Sequence, residues 1–200
     1  MGEERMTRAP VQPIFAAMPI RLVPHPSTPC PAVHAIEVTA SRPFASMLGL
    51  AFVLTGDLAA LALPASGPAQ RTDELWKHTC FEAFLKGPGE AYAEFNMAPS
   101  TRWAAYGFSS YRAGMAPLPL AYTPAFTLHP APGRCELRVL FDLTGIPEAP
   151  EDAPWRLALS TVIETKAGAI SYWAMRHGPE KPDFHHSDGF ALELVAPTPA

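Results

Sequence analysis

The segment "DELWKHTCFEAFL", residues 73–85, decides how this chain is read. Its last seven residues alternate like a β-strand, yet among Cys80, Phe81, Ala83, Phe84 and Leu85 stands one carboxylate, Glu82. A carboxylate on an apolar strand loses its hydration, so some other interaction must offset that cost. Because side chains alternate across the pleat, Cys80, Glu82 and Phe84 share one face. Two readings follow. Glu82 pairs with an arginine of a neighbouring strand, Arg102 or Arg138, or it lies on the floor of a concave sheet and accepts hydrogen bonds from ligand hydroxyls.

Strand-like segments surround this one. "VHAIEVTA" (33–40) sets Ile36 and Val38 on one face with His34, and "LGLAFVLTGD" (48–57) stacks Leu48, Leu50, Phe52 and Leu54 before a turn signal. "AYAEFNM" (91–97) places Ala91, Ala93, Phe95 and Met97 on one side and Tyr92, Glu94 and Asn96 on the other. "RWAAYGFSSY" (102–111) is aromatic on both faces, and "CELRVLFDL" (135–143) alternates Cys135, Leu137, Val139 and Phe141 with polar residues. "WRLALSTVIET" and "AISYWAMR" read as a hairpin around "KAGA", and "GFALELV" closes the chain. The 24 prolines are scattered and stop strands rather than kink helices. Many short strands and no amphipathic helix give an all-β, two-sheet β-sandwich of jelly-roll or immunoglobulin-like shape. The expected organisation is a flexible leader over residues 1–17 and a single domain over 18–196.

Composition narrows the function classes. The 200 residues are 48% apolar and 17% charged, with a net charge of −4, which leaves no electrostatic footprint for nucleic acid or an anionic membrane surface. The start, "MGEERMTRAPVQPIFAAMPIRL", lacks the uninterrupted apolar core of a secretory signal, and no segment reaches the roughly 20 apolar residues of a spanning helix. The expected location is the cytoplasm. Cys30, Cys80 and Cys135 read as buried free thiols, with a Cys80–Cys135 bridge as the alternative.

Several residues could serve a ligand. Trp76 precedes the Glu82 strand, and an indole beside a carboxylate suits a sugar, whose apolar ring face stacks while its hydroxyls bond. Trp173 and the stripe Tyr92–Glu94–Asn96 raise the same prospect; a place in the core is the alternative for both tryptophans. "RHGPEKPDFHHSDGF" (176–190) gathers His177, Lys181, Asp183, His185, His186 and Asp188 in one loop. Imidazole and carboxylate suit a metal, but adjacent histidines on an extended chain point to opposite sides, so a loop lining a ligand pocket is the favoured reading. There is no nucleophile elbow, phosphate loop or dinucleotide fingerprint. Glu82 and Glu94 could form an acid/base pair, as in glycoside hydrolysis.

"LWKHTCFEAFL", "AYAEFNMAPSTRWAAYGF" and "SYWAMRH…KPDFHHSDGF", in that order, resemble the bacterial DOMON-like proteins, relatives of the family 9 carbohydrate-binding modules. The resemblance implies a sandwich with one sheet face binding a sugar or, in other branches, a haem. It implies that Trp76 and Trp173 sandwich the sugar, with Glu82 and Asn96 on its hydroxyls. Lys77 and His78 stand where the sugar-binding modules carry acidic residues. The expectation is a non-catalytic domain binding a carbohydrate or sugar-containing metabolite through Trp76, Lys77, His78, Glu82, Asn96, Trp173, His177, Lys181, Asp183, His185 and His186, without a cofactor or metal. The alternatives are a b-type haem domain, with Met97 or Met175 and His185 or His177 as axial ligands, and a metal-dependent enzyme built on the loop 177–188.

Overall fold

A computed structural model describes residues 18–178 and 180–198, so the leader expected over 1–17 lies outside the described residues. The first strands are β1 (Ile20–Arg21), β2 (Val23–Pro24), β3 (Val33–Ser41), β4 (Met47–Gly56) and β5 (Gln70–Arg71). The middle of the chain supplies β6 (Cys80–Lys86), β7 (Tyr92–Met97), β8 (Arg102–Phe108) and β9 (Ala116–Pro117). Then come β10 (Ala125–Ala131), β11 (Arg134–Asp142), β12 (Trp155–Glu164), β13 (Ile170–Ala174) and β14 (Leu192–Leu194). Short 3-10 turns at Leu58–Ala60, Leu75–Lys77 and Ser187–Gly189 are the helical elements among the described residues, and none is long and apolar enough to cross a membrane.

The strands form a two-sheet β-sandwich. One sheet has the order β1-β3-β4-β11-β10; the other runs β2-β13-β12-β6-β7-β8-β5, with β14 added to β12 and β9 to β8. Pairing is antiparallel throughout, except for the parallel β5–β8 contact. Leu48, Leu50, Phe52 and Leu54 of β4 face Phe81, Ala83 and Leu85 of β6 and Phe95 and Met97 of β7 across the core. Phe52 stacks on Phe81 at 4.9 Å, and Phe95 meets Phe141 at 4.8 Å, so the two sheets are joined ring to ring. Each such side chain contributes roughly 1.5–3 kcal/mol by leaving water.

The larger sheet has a second buried face. Side chains opposite the core lie in rows set by the register: Ser160, Glu82, Asn96 and Ala104 form one, and Ala158, Phe84, Glu94 and Tyr106 the next. An antiparallel sheet usually leaves that face to solvent. Here Phe84, Tyr92, Tyr106, Phe108, Ala158 and Phe190 make a separate apolar cluster, with Trp76 and Phe184 packed against it. Tyr111, Arg112 and Met115 after β8, and Pro182, Phe184, His185 and Phe190 between β13 and β14, supply its cover.

The structure adds one strand, turns one side chain outward and decides between the two cysteine readings. Strand β10 carries little apolar alternation, and its Pro130 sits at the sheet edge, where a missing N–H is tolerated. His34 is exposed rather than beside Ile36, because a register shift between Val33 and Ala35 turns it outward. Cys80 and Cys135 belong to different sheets, and all three cysteines are free and buried.

Candidate functional site

The outer face of the larger sheet carries a cavity of about 390 Å³. Its floor comes from Glu82 and Phe84 of β6, Glu94 of β7, Phe108 of β8 and Val162 of β12. Trp76, Tyr172, Phe184, Pro182, Arg112 and Met115 form its walls and rim, and His185 closes one side.

Trp76 is held by its surroundings. Leu75 is buried with Cys80 and Ala98, which anchors the 3-10 turn at the head of β6. Tyr106 packs edge-on against the Trp76 indole at 5.6 Å and donates its hydroxyl to Asp73 Oδ1 at 2.7 Å. Trp76 is thus half-buried, with its ring against the cavity.

The floor is acidic. Glu82 is only 2% exposed, and its Oε2 accepts from Ser160 Oγ at 3.3 Å. Its Oε1 is buried without a hydrogen-bond partner among the described residues. Arg138 lies in the other sheet on Glu136, and Arg102 is an exposed residue at the start of β8, so the arginine partner read from the sequence does not form. Glu82 sits opposite Asn96 and Glu94 opposite Phe84, which makes the two carboxylates diagonal neighbours on adjacent strands. Burial first, and the Glu94 charge second, push the Glu82 carboxyl well above the usual carboxylate range; the Ser160 hydrogen bond opposes them. Burial also raises Glu94 to about 7, against the Asn96 hydrogen bond and the Arg112 charge.

Asn96 works beneath this floor. Its Nδ2 donates to Glu94 Oε1 at 2.6 Å, and its Oδ1 accepts the Cys80 thiol at 3.5 Å. Both ends of the amide are occupied inside the protein, so Asn96 orients Glu94 where the sequence reading had it holding a hydroxyl.

The histidine loop is fixed by one ion pair. Arg112 Nη2 donates to Asp183 Oδ1 at 2.6 Å, Tyr111 donates to the other Asp183 oxygen, and the His185 backbone N–H returns to Oδ1 at 3.1 Å. Arg112 has φ 53°, an uncommon backbone for a side-chain-bearing residue, and its N–H donates to the Tyr92 hydroxyl at 3.1 Å. Tyr92 in turn contacts His185 Nδ1 at 2.7 Å. The other ring nitrogen, Nε2, faces Glu94 Oε2 at 3.9 Å, beyond hydrogen-bond range. Burial, with Arg112 adding to it, lowers His185 to about 4, so its ring is neutral at pH 7.

The structure brings Trp76, Glu82 and His185 together at the cavity, with Asp183 tying down its cover. The other expected residues lie elsewhere. Trp173 faces the sandwich core at 5% exposure, on the opposite side of the sheet from Glu82, because its register partner Thr161 also faces inward. Tyr172 and Phe184 offer rings where Trp173 was expected. Lys77 pairs with Glu74 in solvent, and His78 Nδ1 meets Glu164 at 2.7 Å. His177 Nε2 meets the Val23 carbonyl and packs edge-on to His25, while Lys181 is exposed. His186 caps the last 3-10 turn and borders a neighbouring groove with Lys86 and Tyr111. No group of three metal-ligating side chains forms among the described residues. Met97 lies in the core, on the far side of the sheet from His185, so these two cannot clasp a haem in the cavity.

Phe84 could have been added from the sequence, since it shares a face with Glu82. Tyr172 follows from alternation against Trp173. Arg112 and Met115 carry no such signal, because their loop reaches the site only through tertiary pairing.

No family model and no curated protein matches the sequence. Among solved structures, the chain is similar to a "putative carbohydrate-binding protein" from Bacteroides uniformis ATCC 8492, with a TM-score of 0.65 and 14% identity over 88% of this chain and 84% of that one. The two proteins share the sandwich architecture.

Proposed function

We propose that this chain is a non-catalytic, DOMON-like binding domain that holds a small carbohydrate or sugar-containing metabolite on the outer face of its larger sheet. The observation that carries the reading is Glu82 Oε1, a buried carboxyl oxygen with no hydrogen-bond partner among the described residues, at the floor of a cavity walled by Trp76, Tyr172 and Phe184. A buried acceptor left unsatisfied costs about 1–3 kcal/mol, and a ligand hydroxyl at that position would remove the cost. The rings would cover the apolar face of the sugar. The cavity, about 390 Å³, suits a mono- or disaccharide. The likeness to the Bacteroides protein and the three sequence blocks support the same class of ligand.

Tryptophan fluorescence tests this directly. Trp103, Trp155 and Trp173 are buried in the core, so Trp76 is the indole placed to report the cavity. Titration with mono- and disaccharides should give a saturable change that disappears in Trp76→Phe. By calorimetry, Trp76→Ala and Glu82→Ala should each weaken binding at least about tenfold, which is about 1.4 kcal/mol. Unchanged affinity in both alanine variants would remove the site from consideration.

A further inference from the structure

We infer that the ligand carries a cationic amino group, as a hexosamine does, and that Glu82 and Glu94 receive it. This rests on the binding reading above and names the class of sugar.

Two carboxylates share one floor, and among the described residues neither forms an ion pair with a lysine or arginine, although the Arg112 charge reaches Glu94. Glu82 bonds only Ser160, and its second oxygen is unpartnered among the described residues. Glu94 bonds Asn96, with the neutral His185 ring 3.9 Å away. Arg112, the one cation on the cavity wall among the described residues, is paired with Asp183. Lys86 lies over the Phe190 ring, beside the neighbouring groove. Buried acids are otherwise found paired or coordinated, so a floor with two of them and no cation is incomplete by itself.

The aromatic walls add to this. Trp76, Tyr172 and Phe184 line the cavity, and an aromatic ring attracts a cation as well as an apolar ring face. A neutral sugar would use the rings and leave two acids competing for hydroxyl protons. An ammonium with three donors could bridge both carboxylates.

The other titratable groups facing the floor are known. β6 contributes Cys80, whose thiol burial pushes up, and β7 contributes Tyr92. β8 contributes Tyr106 with its Asp73 partner, and β13 contributes Tyr172 at the rim. The two covering segments contribute Arg112, Asp183 and His185. β12 offers Ser160 and Val162, which do not titrate. Glu94, raised to about 7, changes charge near neutrality with the raised Glu82 carboxyl beside it, so ammonium binding should expel a carboxyl proton to the buffer.

The experiment is isothermal titration calorimetry of the full chain at pH 7 in two buffers of different ionisation enthalpy. Glucosamine and galactosamine are compared with glucose, galactose and their N-acetyl derivatives, and cyclohexylamine serves as an amine without hydroxyls. The expected result is hexosamine binding at least about tenfold tighter than the parent and N-acetyl sugars, with proton release. In Glu82→Gln and Glu94→Gln, folding checked by circular dichroism, that ratio should fall toward unity. Equal affinity for all three sugar forms overturns the amine and leaves the sugar reading standing. Cyclohexylamine binding as well as glucosamine, with no neutral sugar bound, supports the amine and overturns the sugar. No heat with either hexosamine overturns this inference.

Discussion

Arg42→Ala loses about 3–5 kcal/mol of folding stability, because it removes a buried guanidinium that joins four part-buried carbonyls and covers a core indole. Arg42 follows β3 and is 8% exposed. Its Nε and Nη2 donate to Ala45 O, Nη1 donates to Ala153 O at 2.7 Å, and Nη2 also reaches Pro150 O and Glu151 O, each at 2.9 Å. The guanidinium stacks over Trp155 at 3.6 Å from the ring centroid, and Trp155 Nε1 donates to Pro150 O as well. One side chain therefore pins the loop after β3 and the loop before β12 onto the core. Arg42→Lys should recover less than half of the loss. Its ammonium has three donors and no planar face, against four carbonyls spread around a fork. Urea unfolding measures both variants, and near-ultraviolet dichroism should show the altered Trp155 environment. Both variants falling within about 0.5 kcal/mol of wild type, a typical surface substitution, would refute this account.

Arg42 also shows where sequence reading stops. "SRPF" holds one arginine in a loop with no period, and beyond Ala45 its partners are backbone atoms more than a hundred residues away. The sandwich itself was legible, because β7 and β11 alternate apolar and polar residues cleanly, and the apolar set of each enters the core. Alternation says which residues share a face but not which face is the core. In most sheets the polar side answers that question. Here both faces of β6 are buried, so Phe81 and Phe84 look alike in the sequence while one enters the core and the other the site. Trp173 was misplaced for the same reason. Glu82 was legible because a single charge among apolar residues is costly on either face. Phe184 could be named only as part of a loop, and Arg112 not at all, since the pair Arg112–Asp183 that assembles the cover spans 71 residues.

Glu82→Gln and Glu94→Gln should each make the ligand-free protein more stable at pH 8 than wild type, with the advantage shrinking toward pH 5. Glu94 titrates at about 7 in the folded chain, against 4.5 as its ordinary value. Between those values the folded state holds a proton that the unfolded state has released. Stability therefore falls as pH rises through that window, and the loss is complete above about pH 7. For Glu82 the window opens at the same point and runs in the same direction, since its carboxyl is also raised. His185 acts in the opposite sense: its folded value of about 4 lies below the ordinary 6.5, so stability is lost as pH falls between them. The terms offset one another below about pH 6.5, and above it the carboxylate loss stands alone. The two glutamates titrate as a pair, so their contribution is shared, up to about 3 kcal/mol between pH 5 and pH 8. In a chain of this size each kcal/mol moves Tm by roughly 2–4 °C, well within the reach of calorimetry. Variant and wild-type Tm curves running parallel from pH 5 to pH 8 would mean that the carboxylates are solvated or already paired. A bound ammonium should act as the substitutions do, by giving the charged floor a partner. Saturating glucosamine should therefore raise the wild-type Tm more at pH 8 than at pH 5, and should lose that pH dependence in Glu82→Gln.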